Sequence, residues 1–120
     1  MKTEVDAYHD FVDALVARRE CVLAKRVRAG QLWPAESSLA AFNTLVEGLS
    51  EQQRGSVAAL LQKAREGGIH DVLAEISERA KLKGLGLVQD GVEVPMEPHG
   101  TEIYFDWAAR CAGEAWPHEG

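Results

Sequence analysis

A chain of 120 residues with 46% hydrophobic and 27% charged side chains has the size and balance of one independently folding domain, large enough to bury a core without disulfide or metal staples. Two cysteines, Cys21 and Cys111, far apart and without C-x-x-C spacing, exclude a disulfide scaffold and imply reduced thiols and a cytoplasmic location. The formal net charge of −6 sits wholly in residues 89–120, where seven acids face Arg110 alone; a field of that sign repels nucleic-acid phosphates and suits a basic partner.

Thr3 with Asp6 resembles a capping box, and Val5, Tyr8, Phe11, Val12, Leu15, Val22 and Leu23 recur at helical spacing, which predicts a first helix over about 4–29 ended by Gly30. QLWPAESS is a connector, because Pro34 pushes Trp33 out of the helical region. Leu39, Phe42, Leu45, Val46 and Leu49 mark a second helix near 36–48. Ser50 with Gln53 opens a third, whose inner face is Val57, Leu60, Leu61 and Ala64, and Gly67-Gly68 is read as its end. Ile69, Val72, Leu73, Ile76 and Ala80 give a fourth, stopping near Gly84.

The period then changes. GLVQDGVEV places Asp90-Gly91 between two apolar runs, the signature of a two-residue type I′ hairpin with strands over about 86–89 and 92–95. Ile103, Tyr104, Trp107, Ala108 and Cys111 share one helical face, with Thr101 as N-cap, Asp106 and Arg110 as an i,i+4 pair and Gly113 as the stop, so a last helix is expected over 102–112. The expected fold is mainly α (α+β): a compact bundle of about five helices with one small β-hairpin near residues 86–95, in a single globular domain over 1–120. Neither the polar opening MKTEVDAYHD nor the apolar runs, such as VAALL at 57–61, supply a leader or the roughly 20 apolar residues of a membrane span.

Two polar groups invite chemistry. Asp6, His9, Asp10 and Asp13 lie within about a third of a turn of one another on the first predicted helix, a possible set of oxygen and nitrogen ligands for a divalent metal; acids near a helix N-terminus also answer its dipole. Arg19 and Arg26 project into the apolar stripe of the same helix, where a guanidinium must snorkel, pair with a carboxylate or line an anion-binding cleft. Arg110 is the remaining cation of this kind. His70-Asp71 and the Glu75/Glu78 pair lack converging partners in the sequence. No phosphate-binding glycine loop, nucleophile elbow or zinc spacing occurs, so no cofactor and no catalytic residue is expected.

The segment EPHGTEIYFDWAARCAGEAWP concentrates Tyr104, Phe105, Trp107 and Trp116. Tyr104 and Trp107 belong to the inner helical face, whereas Phe105 and Trp116 stand equally as core or as exposed hot spots ringed by Glu102, Asp106 and Glu114. The run Tyr104-Phe105-Asp106-Trp107, then Arg110, then Gly113-Glu114 and Trp116-Pro117, resembles the tail of a family of small bacterial cytosolic domains of unknown function. The resemblance implies a bacterial origin and no particular chemistry. The first functional expectation is a non-enzymatic protein-interaction domain, immunity-like or regulatory, whose partner is a basic protein or a second copy of the chain, with no nucleic acid and no membrane. The alternative is a helical domain that binds a small molecule or divalent metal, with hydrolase activity among its uses.

Overall fold

In the computed structural model, which describes residues 2–117 and leaves Glu119 outside the described residues, the first helix opens as its capping box foretells. The Thr3 hydroxyl accepts from the Asp6 N–H, and the Asp6 carboxylate accepts from the Thr3 N–H at 3.0 Å. These bonds hold the Asp6 carboxyl below its usual range.

Helix α1, Glu4–Ala17, then stops, and α2 begins only at Val22 and runs Val22–Ala29. The expected unbroken helix over 4–29 is therefore two. The Cys21 N–H donates to the Gln62 side-chain oxygen at 2.9 Å instead of to a helical carbonyl. Cys21 and Ala24 bury against Ala58 and Leu61. Val22 and Leu23, read as a continuation of the buried stripe, are exposed. Local packing thus overrides a periodicity that looked continuous. Gly30 closes α2 in the left-handed conformation at φ 69°, where a side chain would be strained and its Cβ would lie 3.3 Å from the Arg54 guanidinium carbon.

Beyond the connector, a 3-10 turn over Ser38–Phe42 leads into the short helix α3, Asn43–Gly48. Ser50 and Gln53 form the second expected capping box, each side chain accepting from the other's backbone N–H. It starts α4, which runs Glu51–Leu82 without interruption. Gly67-Gly68 does not end it, contrary to the expectation of two helices. Glycine ends a helix by adopting positive φ, and among the described residues the glycines with positive φ are Gly30, Gly84, Gly91, Gly100 and Gly113, not Gly67 or Gly68. Inside a helix a glycine is only a penalty of about 1 kcal/mol. α4 ends where Gly84 turns left-handed and Leu85 N–H bonds the Arg79 carbonyl.

The hairpin forms as read. Strands β1, Leu87–Gln89, and β2, Val92–Val94, pair antiparallel with Gln89 opposite Val92. Asp90 and Gly91 both take positive φ, 52° and 76°, as a type I′ turn requires. The last helix, α5, spans Ile103–Cys111.

Two compact units divide the chain: one draws on Met1–Arg19 and Gly68–Gly120, the other on Glu20–Gly67. In the first, α1 packs on α5 and β2 around Tyr8, Val12, Leu73, Val94, Ile103 and Trp107. The second has a smaller core of Cys21, Ala24 and Ala58. The protein is mainly helical with one small hairpin, as the sequence reading had it. Among the described residues no helix is long and apolar enough to cross a membrane.

Candidate functional site

The first unit carries a hydrogen-bonded polar layer directly against its apolar core. Tyr8 is wholly buried on α1, and its hydroxyl donates to the Asp106 carboxylate of α5. The Thr101 hydroxyl donates to the other oxygen of the same carboxylate. Asp106 is 7% exposed, so both bonds replace lost water at a group that is costly to bury alone. Burial first, and then the neighbouring Asp106, push the Tyr8 hydroxyl far above its ordinary pKa. Thr101 is therefore a partner of Asp106, and Glu102 occupies the N-cap.

Arg110 likewise leaves its expected i,i+4 mate. Its guanidinium grips Asp13 of α1 with two bonds, Nε to Oδ1 at 2.8 Å and Nη2 to Oδ2 at 3.1 Å. Its Nη1 also donates to the Glu114 carbonyl at 2.9 Å. The Trp116 indole N–H donates to Asp13 Oδ2 at 3.1 Å. Burial alone would raise the Asp13 carboxyl, but the Arg110 and Trp116 bonds outweigh it and hold the group below the usual carboxylate range.

Above this pair lies an aromatic stack. His9 is nearly parallel to Trp116, with centroids 4.0 Å apart and planes at 10°. Its Nε2 meets Nε2 of His99 at 2.8 Å, so one ring donates while the other accepts. Tyr8 meets the Trp116 ring edge-on at 5.8 Å. His99 reaches this position from a turn in which Glu97 and Gly100 both have positive φ.

Beside the stack is a cleft of about 220 Å³ whose lining includes His99, Thr101, Phe105, Arg110, Glu114 and Trp116. The structure thus gathers Phe105, Trp116, Asp106, Glu114 and Arg110, all singled out from sequence, around one depression. They play different parts. Trp116 is 4% exposed and belongs to the floor, not to a protruding hot spot. Phe105 is 56% exposed and stands at the mouth. Glu102 is engaged elsewhere, by Lys81 at 3.3 Å, which also holds Glu97 at 3.0 Å.

The proposed metal set is split among separate partners. Asp6 caps α1, Asp10 pairs with Lys2, Asp13 with Arg110, and His9 with His99. Among the described residues no group of three histidine, cysteine or carboxylate side chains is placed to hold a metal ion. Arg19 falls in the break after α1 and is exposed. Arg26, on α2, donates to the Leu32 carbonyl at 2.9 Å and lies 5.3 Å over the Trp33 ring, so a carbonyl and an aromatic face engage it where a carboxylate pair or an anion-binding cleft stood among the expectations. His99 and the Tyr8 hydroxyl were not anticipated. The only local signal for His99 was the Pro98-His99-Gly100 turn composition.

The chain belongs to a family of unknown function (DUF6547), which it matches over residues 1–118. The likeness noted in the C-terminal run therefore extends along nearly the whole sequence. No curated protein and no solved structure matches it.

Proposed function

We propose that the protein is a non-enzymatic interaction domain of the bacterial cytoplasm that binds a basic protein through the α5 cleft of its first unit. The single observation that carries this reading is Phe105: a large apolar side chain, 56% exposed, at the mouth of a cleft whose polar floor is already engaged in its own hydrogen bonds. Asp106 accepts from Tyr8 and Thr101, and Arg110 is committed to Asp13 and the Glu114 carbonyl. Groups so engaged favour rigid shape recognition over proton transfer or nucleophilic attack. Glu114 at the rim and the acidic excess of residues 89–120 supply the charge that steers a basic partner. Two cysteines ninety positions apart, with no C-x-x-C spacing, accord with a reducing compartment.

The test is affinity capture from the native cytosol with wild-type, Phe105→Ala and Glu114→Lys baits, each first checked for unchanged melting. A basic protein retained by the wild type and lost by both variants is the expected result. Equal capture by all three baits refutes the assignment. Self-capture with a doubled native mass moves the partner to a second copy of the chain.

A further inference from the structure

In the second unit, α2, the connector, the 3-10 turn, α3 and α4 enclose a cavity of about 210 Å³ whose lining side chains are all aliphatic or aromatic, among them Trp33, Phe42, Leu45, Val46, Val57 and Leu61. That volume is large enough for a benzene-sized guest, which an apolar cavity of roughly 150 Å³ accepts. A packing defect of this size normally shrinks as its walls relax inward, because the lining atoms forfeit contacts on one side.

Here one wall is pinned. The Asn43 side chain holds the Trp33 backbone by two bonds, accepting from its N–H at 2.8 Å and donating to its carbonyl at 2.9 Å. The Arg26 guanidinium lies over the Trp33 ring and is itself tied to the Leu32 carbonyl. An asparagine and an arginine are thus committed to keeping the wall in place. The rim is open, since Leu23, Phe42 and Leu45 are 40%, 51% and 54% exposed. A preformed apolar hollow with an entrance and no polar lining group has the properties of a ligand pocket.

We propose that this cavity is a binding site for a small uncharged apolar molecule, the size of one substituted aromatic ring or a short alkyl chain. The absence of polar lining selects against a charged or strongly hydrogen-bonding guest, which would lose its hydration without replacement. The volume is that of a single ring, too small for the several anchors of a docked amphipathic helix. The site is independent of the α5 cleft and stands or falls separately.

The experiment titrates the full chain with toluene and follows the three indole N–H signals and the methyl signals by NMR, with thermal melting in parallel. Saturable shifts at Trp33, Val46, Val57 and Leu61, with Trp107 and Trp116 unmoved, and a melting point raised by several degrees are expected. Two variants close the cavity from different sides: Val57→Phe from within, and Leu45→Trp from a half-exposed position where the added bulk need not strain the core. Each should weaken binding by about tenfold or more, while unchanged Ala24 and Ala58 methyl signals, from the separate buried core of the second unit, report that its fold is intact. Non-saturable shifts, shifts spread equally over all three indoles, or undiminished binding by a folded Leu45→Trp protein overturn the proposal. Concentration-dependent lining signals with a doubled mass and no toluene response also overturn it, assigning the hollow to a second copy of the chain.

Discussion

The two units use side chains in opposite ways. In the first, Tyr8, Asp106, Thr101, Asp13, Arg110 and Trp116 bond to one another beneath a cleft, so the space there lies beside polar groups that are already engaged. In the second, an apolar hollow of similar volume is kept open by groups outside its lining, Asn43 and Arg26. A cavity in itself therefore says little about function. What distinguishes the two is how their lining and supports are engaged: polar groups bonded to one another in the first, apolar walls held by Asn43 and Arg26 in the second.

This contrast can be broken at graded cost. Trp116→Ala should be the most damaging change, by about 3–5 kcal/mol in chemical denaturation, since it empties a buried site, removes a donor from Asp13 and uncovers His9. Tyr8→Phe keeps the ring and deletes only the hydroxyl, leaving buried Asp106 with Thr101 as its remaining side-chain donor. It should cost about 1–3 kcal/mol. A near-neutral result would mean that water substitutes freely and the floor is not sealed.

The Asp13–Arg110 pair adds a pH dependence. Because the folded Asp13 carboxyl lies below the usual aspartate value of 3.8, its contribution is fully present above that value. It is lost as pH falls below 3.8 and through the lower folded pKa. Asp13→Asn should flatten that acid limb of the stability curve, measured by denaturation from neutral pH down to the acid transition, and Arg110→Ala should do the same. Gly67→Ala and Gly68→Ala should each stabilise the protein by about 0.5–1 kcal/mol, because nothing lies within 4 Å of a Cβ built at either position. Destabilisation would mean that the chain turns there after all. Phe105→Ala should change stability least, within about 0.5 kcal/mol.

What was legible in the sequence was local. Both capping boxes, the left-handed stop at Gly30 and the Asp90-Gly91 turn depend on residues a few positions apart, and all form. What was not legible depends on partners far along the chain. The break before Val22 rests on Gln62, forty-one positions away, reaching the Cys21 N–H. Gly67-Gly68 reads as a stop because glycine permits a left-handed residue, yet permission is not compulsion. At the candidate site, sequence spacing paired Asp106 with Arg110 on one helix face. The fold instead gives each an α1 partner about ninety-eight positions away, Tyr8 for Asp106 and Asp13 for Arg110. The two undecided aromatics of the C-terminal segment part company: Trp116 enters the core and Phe105 stays outside.

That last division is where the account is most exposed. The decisive measurement is the titration of a captured partner against wild-type and Phe105→Ala protein, both shown to melt alike. A hot spot predicts at least about thirtyfold weaker binding, equivalent to a loss of roughly 2 kcal/mol. Equal affinities would contradict the assignment of the α5 cleft as the binding surface.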